Sequence, residues 1–231
     1  MRKLILFDID GTILTARGAP MRAFHQALLE VYGTAGPIKT HHFSGKTDPQ
    51  IARELLRMAG LTDAAIDARL PQLWETYLRG LATELAAPGH ETVVLPGVRA
   101  LLDALAAERD AVLALLTGNI AQGATLKLAS ARIDTALFRF GAYGSDCEAR
   151  DGLPPVAVQR AAELTGVEFR GRDVVVIGET PNDVTCGRAL GVTAVAVATG
   201  SHDGEALRAA GADVVFADLS DTTSVLDVLL A

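Results

Sequence analysis

The stretch Leu4-Ile5-Leu6-Phe7-Asp8-Ile9-Asp10-Gly11-Thr12 decides the fold. Leu4 to Ile9 reads as a buried strand that ends in the turn Asp10-Gly11-Thr12. Four later segments have the same form, a short apolar run stopping at a polar or glycine-rich tip. Ala111 to Leu116 ends at Thr117-Gly118-Asn119, and Asp173 to Ile177 at Gly178-Glu179-Thr180. Thr193 to Ala198 ends at Thr199-Gly200-Ser201, and Asp213 to Phe216 at Ala217-Asp218. Apolar runs without alternation suit parallel strands covered on both faces. Between them lie the helical patterns Val98 to Glu108, Ala121 to Ala131, Pro155 to Thr165, Asp183 to Leu190 and Asp203 to Ala210. Strand-helix alternation predicts an α/β fold, a doubly wound parallel sheet of Rossmann-like form. Such sheets bind ligands at the carboxyl ends of their strands, so the polar tips are expected to converge on one rim.

Residues from about Arg17 to Val94 break this rhythm. Met21 to Tyr32, Asp48 to Ala59, Asp63 to Leu70 and Leu73 to Ala86 read as amphipathic helices with no convincing strand among them. Pro88-Gly89 and Pro96-Gly97 punctuate the return. The expected organisation is an α/β core of residues 1–16 and 95–231, with a helical cap, residues 17–94, inserted after the first strand.

Composition narrows the partners. The chain has 231 residues, 49% of them apolar, enough for a sizeable core. A formal net charge of −7 argues against sequence-independent nucleic-acid binding and against anionic membrane surfaces. Asp8 and Asp10 end the N-terminal apolar run after about four residues, short of the roughly seven to fifteen of a signal h-region. No stretch approaches the roughly 18 apolar residues of a membrane helix. Cys147 and Cys186 are far apart in sequence, which suits a reducing, cytoplasmic setting. The expected partner is a small molecule, and the expected state a monomer or homodimer.

The tips carry the chemistry. Phosphoryl transfer to a carboxylate needs a nucleophile, here Asp8. It also needs a group that protonates the leaving alcohol and later activates water, a role for Asp10. Gly11 permits the tight turn after them. Thr117, Gly118 and Asn119 offer a hydroxyl and backbone N–H groups to a phosphate oxygen, the plain alternative being a helix cap. Glu179 and Asp183, four apart beside Asp8, would complete an oxygen-rich site of the kind Mg²⁺ prefers. Their plain alternatives are a solvated loop charge and a helix cap.

In this order, Asp8-Ile9-Asp10-Gly11-Thr12, then Thr117-Gly118-Asn119, then Gly178-Glu179 with Asp183, the chain resembles the haloacid dehalogenase-like hydrolase superfamily, in particular its phosphoglycolate phosphatase-like members. The resemblance spans essentially the whole chain. It implies nucleophile Asp8, acid/base Asp10 and phosphate-binding Thr117. It also implies Mg²⁺ held by the Asp8 carboxylate, the Asp10 backbone carbonyl, Glu179 and Asp183. Two positions depart from the pattern. Glu179 stands where an Asp is usual, one methylene longer. The usual lysine near the start of the helix at Pro155 aligns with Gly152. Arg150, in the same loop, is the preferred substitute to hold Asp8 against the phosphate charge. Lys127 is the second candidate, about 10 Å along the helix that follows Asn119.

Ser44-Gly45-Lys46-Thr47 is not a nucleotide-binding loop, because Thr40 replaces the required glycine and no strand precedes it. In the resembling family this part of the cap faces the site, so Gly45, Lys46 and Thr47 are expected near substrate, against a simple turn before the helix at Asp48. His41 and His42 lack metal-ligand spacing, and Trp74 and Tyr77 are read as cap core. A sugar-phosphate mutase of the same superfamily is the nearest enzymatic alternative. A dehalogenase or phosphonate hydrolase would have no use for the acid at Asp10. A receiver-like signalling domain shares the strand-tip Asp and Mg²⁺ but lacks such a cap.

Overall fold

Lys3–Phe7 forms strand β1, all five residues buried. The computed structural model describes residues 2–231. β1 lies between β4 (Ala111–Thr117) and β6 (Val174–Gly178), parallel to both. β5 (Gly141–Tyr143) extends the sheet beyond β4, and β7 (Thr193–Val197) and β8 (Val214–Phe216) extend it beyond β6. The six-stranded order is β5-β4-β1-β6-β7-β8, every pairing parallel.

Strand alternation explains the continuous apolar runs. Ile5, Phe7, Leu113, Leu115, Val175 and Ile177 face a layer built by α5 (Val98–Ala107), α6 (Ala121–Ser130) and α10 (Thr222–Leu230). Leu4, Leu6, Val112, Ala114, Val174 and Val176 face the opposite layer, with α7 (Leu153–Thr165) and Cys186 of α8 (Pro181–Cys186). Neither face meets water, so each strand is apolar at successive positions. Helix α9 (Gly204–Ala209) packs with Ala194 and Ala196 at the β7 side.

The insert after β1 enters and leaves through a two-stranded antiparallel ribbon, β2 (Leu14–Thr15) with β3 (Val93–Val94). Between these strands lie α1 (Ala19–Tyr32), α2 (Asp48–Met58), α3 (Asp63–Asp67) and α4 (Leu70–Leu85). Their apolar stripes form a core of their own, with Phe24, Leu28, Leu55, Leu56, Leu73, Tyr77 and Leu81. Phe24 meets Tyr77 edge-on at 5.2 Å. Burying side chains of this size stabilises by roughly 1.5–3 kcal/mol each. Ile120, at the N-cap of α6, joins this cluster and seats the insert on the sheet domain.

Four features depart from the sequence expectation. β5 has three residues, too few to show a pattern. The ribbon β2–β3 has two residues per strand. The C-terminal helix α10 carries no capping signal beyond Asp221, whose carboxylate accepts from Ser224 N at 3.2 Å. The helix expected over Asp183 to Leu190 is α8 followed by a separate 3₁₀ turn, Arg188–Leu190, the break falling at Gly187.

Candidate active site

Register brings three strand tips to one edge. Phe7 pairs with Leu115 on one side and Ile177 on the other, so Asp8, Thr117 and Glu179 emerge side by side. Asp8 N donates to Ile177 O at 2.9 Å, which fixes the backbone beside β6. Asp8 is buried, and its carboxylate accepts from Arg150 Nη2 at 3.0 Å. Arg150 lies in the 3₁₀ turn Arg150–Gly152 that feeds α7, and the same Nη2 also donates to Asp183 Oδ1. Asp183 is the third residue of α8 and forms a capping box with Thr180. Its Oδ2 accepts from Glu179 N at 3.1 Å, Thr180 N at 2.9 Å and Thr180 Oγ1 at 2.7 Å. Asp183 is thus a helix cap and an ion-pair partner at once.

The second cation finds a different acid. Lys127 Nζ donates to Asp10 Oδ2 at 2.7 Å and to Asn119 Oδ1 at 2.6 Å. Lys127 reaches the rim from two turns into α6 because helical side chains tilt toward the N-terminus, and the α6 N-terminus faces the strand tips. Asn119 Nδ2 donates to Asp10 Oδ2 at 2.7 Å and to Thr117 Oγ1 at 2.8 Å. The buried Thr117 hydroxyl accepts this bond and gives its own proton to no acceptor among the described residues. Sequence reasoning offered Arg150 and Lys127 as rivals for one place. The structure pairs Arg150 with Asp8 and Lys127 with Asp10.

Charge is concentrated at the β1 and β6 tips. Burial and the Asp183 charge push the Asp8 carboxyl up to about 7, against the pull of Arg150. Burial and the charges of Asp183 and Asp8 push Glu179 up to about 8. Burial opposes the Arg150 charge, yet Asp183 and Asp8 together hold its pKa above the ordinary value. Glu179 is buried rather than solvated, and its Oε2 has no hydrogen-bond partner among the described residues. A β-carbon on Gly11, whose φ is +80°, would lie 2.7 Å from Glu179 Cγ. Only glycine there lets the turn close over Glu179.

These residues fit a divalent cation. No group of three His, Cys, Asp or Glu side chains among the described residues forms a metal cage. Two carboxylates, Asp8 and Glu179, one with an orphaned buried oxygen, remain at the tips. One or two carboxylates with waters is a usual way of holding Mg²⁺. A cation there would also reverse the rise in both acids. Asp183, expected as a further ligand, has both oxygens engaged.

A cavity of about 300 Å³ opens over the tips, lined by Asp8, Asp10, Thr117, Gly118, Asn119, Lys127, Arg150 and Glu179 and roofed by the insert. The segment before α2 is pressed onto the sheet domain. Asp48 N donates to Gly118 O at 2.7 Å, and Asp48 Oδ2 accepts from Ile120 N at 2.9 Å, capping α6 from outside. Burial raises the Asp48 carboxyl to about 6, offset by Lys127 and the Ile120 amide. A β-carbon on Gly45 would lie 2.5 Å from Thr180 Oγ1, and one on Gly118 2.1 Å from Lys46 O. Of the three residues expected near substrate, Gly45 and Lys46 line the cavity and Thr47 does not. Thr47 is fully buried, donates to Glu148 O at 2.5 Å and accepts from Gln50 N at 3.2 Å as the N-cap of α2. Lys46 Nζ is paired with Glu54 Oε2 at 2.5 Å. Asp48, which starts α2 as expected, and Tyr77, which belongs to the insert's core as expected, also line the cavity. Nothing in the linear sequence marks either, since their placement needs the insert folded onto α6.

The chain is similar to known proteins over most of its length. The chain is 27% identical over 219 residues to a phosphoglycolate phosphatase of Pseudomonas putida, covering 94% of this chain and 77% of that protein. It is 30% identical over 196 residues to a Drosophila melanogaster protein named probable pseudouridine-5'-phosphatase, covering 83% and 80%. The crystal structure of a hydrolase from Pseudomonas syringae superposes with a TM-score of 0.72 at 23% identity, over 98% of both chains. A family model described as haloacid dehalogenase-like hydrolase matches residues 5–197, and the chain therefore belongs to the haloacid dehalogenase-like hydrolases.

Proposed function

We propose that this hydrolase is a Mg²⁺-dependent phosphatase that cleaves a small-molecule phosphate monoester through an aspartyl-phosphate on Asp8. The single observation carrying the proposal is the arrangement of two acids two residues apart, each held by its own cation in one cavity. Asp8 is held by Arg150 at 3.0 Å and Asp10 by Lys127 at 2.7 Å. The names of the relatives support the reaction class and differ in the ester, one bearing a glycolate and the other a nucleoside.

The chain's own residues account for both half-reactions. A phosphoryl group entering the cavity meets the Thr117 hydroxyl, the donor left free for a phosphate oxygen. Arg150 orients Asp8, which attacks phosphorus as the bond to the leaving oxygen breaks. Asp10 gives its proton to that oxygen. Lys127 and Asn119 bind Asp10 Oδ2 and leave Oδ1 for proton exchange. In the second half-reaction Asp10 takes a proton from water, the water oxygen attacks phosphorus, and the P–O bond to Asp8 breaks. Inorganic phosphate leaves and both acids return to their starting state. A Mg²⁺ held by Asp8, Glu179 and the Asp10 carbonyl would neutralise phosphoryl charge and ease approach of one anion to another. The insert covers the site and excludes bulk water.

A mutase needs the same first half-reaction, and the carboxylates alone do not distinguish it. The test is turnover of para-nitrophenyl phosphate. Repeated phosphate release that requires Mg²⁺ and stops in chelator is expected. Retention of one phosphate without turnover would favour a receiver, and metal-independent turnover would refute the carboxylate assignment.

A further inference from the structure

Thr199, Gly200 and Ser201, the polar tip that follows β7, take no part in the phosphoryl chemistry. They nevertheless touch its carboxylates. Gly178 of β6 pairs with Ala196 of β7, so the turn after β7 lies beside Glu179. Glu179 is 8% exposed, and its Oε2 is buried without a partner among the described residues. A β-carbon on Gly200 would lie 1.8 Å from that oxygen, 2.5 Å from Cδ and 3.2 Å from Cγ of the same side chain. The three heavy atoms nearest to that position all belong to Glu179.

The two glycines that flank Glu179 are glycine for different reasons. Gly11 has φ +80°, where any side chain would be strained. Gly200 lies outside the left-handed region, so its backbone would accept alanine, and only the Glu179 side chain excludes the methyl. Thr199 closes the slot between them. Its Oγ1 donates to Gly11 O at 2.5 Å, tying the turn after β7 to the turn after β1. Gly11 O is one peptide along from the Asp10 carbonyl, so the same bond steadies that group. An aspartate at 179 would need less room. It would place its carboxyl carbon where Glu179 has Cγ, 3.2 Å rather than 2.5 Å from the β-carbon position at Gly200.

We propose that the tip of β7 is a positioning element of the cation site, in which Gly200 makes room for the longer acid Glu179 and Thr199 fixes the Gly11 turn against it. This inference rests on the reading of Asp8 and Glu179 as holders of a divalent cation. Gly200 and Glu179 then form a pair, the glycine being needed because the acid is Glu. Groups that orient a metal ligand from behind contribute roughly 10–100-fold to metal affinity.

The test titrates Mn²⁺ into the substrate-free protein and follows its electron paramagnetic resonance signal, in wild type, Gly200→Ala, Glu179→Asp, the two combined, and Thr199→Val. Wild type should bind Mn²⁺. Gly200→Ala should raise the Kd by about tenfold or more. Its metal-free Tm should stay near wild type, because the group displaced is the end of a flexible side chain. Glu179→Asp should bind close to wild type, and adding Gly200→Ala to it should change the Kd by no more than about twofold. Thr199→Val, which keeps the shape and removes the donor, should also raise the Kd. Unchanged affinity in Gly200→Ala or Thr199→Val would overturn the inference and leave the cation reading standing. So would an equal loss from Gly200→Ala with Glu or Asp at 179, since the glycine would then act through the backbone. Absence of Mn²⁺ binding by wild type would overturn both.

Discussion

At the strand tips the charged groups bind one another. Arg150 joins Asp8 to Asp183, and Lys127 joins Asp10 to Asn119. On the opposite wall, under the insert, the Tyr77 hydroxyl and one oxygen of Asp48 have no hydrogen-bond partner among the described residues. Two apolar-centred regions of one chain thus meet across a cavity with opposite habits. The strand tips are preorganised around groups that every phosphate ester shares: their acids and cations are paired before substrate arrives, and the Thr117 hydroxyl proton and Glu179 Oε2 are left open. The insert leaves its polar groups open, as a surface that distinguishes one ester from another must. Catalytic loss on one wall and altered selectivity on the other is the behaviour this contrast predicts.

The largest effect belongs to Asp8. Asp8→Asn should lower kcat by about 10³-fold or more for every ester, with circular dichroism and Tm close to wild type, because the amide is nearly isosteric but poorly nucleophilic. Uniformity across esters is the sharp part. A loss confined to one ester would move Asp8 to the selective wall.

The two cations should separate next. Arg150→Ala should cost about 3 kcal/mol in kcat/KM on all esters, as for loss of a preorganised charge stabiliser. Lys127→Ala should spare para-nitrophenyl phosphate relative to alkyl esters, because nitrophenolate leaves without the proton that Asp10 supplies. Equal losses on both kinds of ester in Lys127→Ala would detach Lys127 from the acid/base step.

Asp48 offers a stability test of its buried charge. Its carboxyl is raised from an ordinary 3.8 to about 6, so the folded chain holds a proton there that the unfolded chain has released. The stability this group contributes is present below about pH 4 and is lost as pH rises to about 6. Asp48→Asn has no such loss. Its stability relative to wild type should rise by about 2–3 kcal/mol between pH 4 and pH 7, read from urea midpoints. A difference that does not change with pH would mean that Asp48 carries no strained charge.

The smallest expected change is at the seam. Gly118→Ala places a methyl 2.1 Å from Lys46 O and must lift the segment before α2 off the β4 tip. KM should rise about tenfold, a shift of about 1.4 kcal/mol, with kcat less affected. Unchanged KM would show that close seating of the insert is not needed for binding.

Much of this was legible in the sequence, and for a physical reason. Asp8, Asp10, Thr117, Glu179 and Asp183 each follow a buried parallel strand whose apolar run is unmistakable, and parallel register alone brings such tips together. The helical insert was legible from its amphipathic period. What escaped depends on distance in space. Lys127 appeared too far along its helix because only the direction of α6 shows that its side chain points back to the rim. Thr47 looked like a substrate contact, but its hydroxyl turns inward to cap α2 and bind Glu148 O. Tyr77 sits in a stripe of apolar residues and differs from core only in what lies opposite its hydroxyl. Strand β5 and the β2–β3 ribbon were too short to carry a periodic signal.

The most direct measurement is to find the phosphoryl group on the enzyme. The Mg²⁺-supplied protein is quenched with acid during turnover of a phosphorus-labelled ester, digested, and its peptides mapped. Label on the peptide that contains Asp8, released by hydroxylamine as an acyl phosphate and absent from Asp8→Asn, is the predicted result. Label on another residue, or undiminished turnover by Asp8→Asn, would contradict the account.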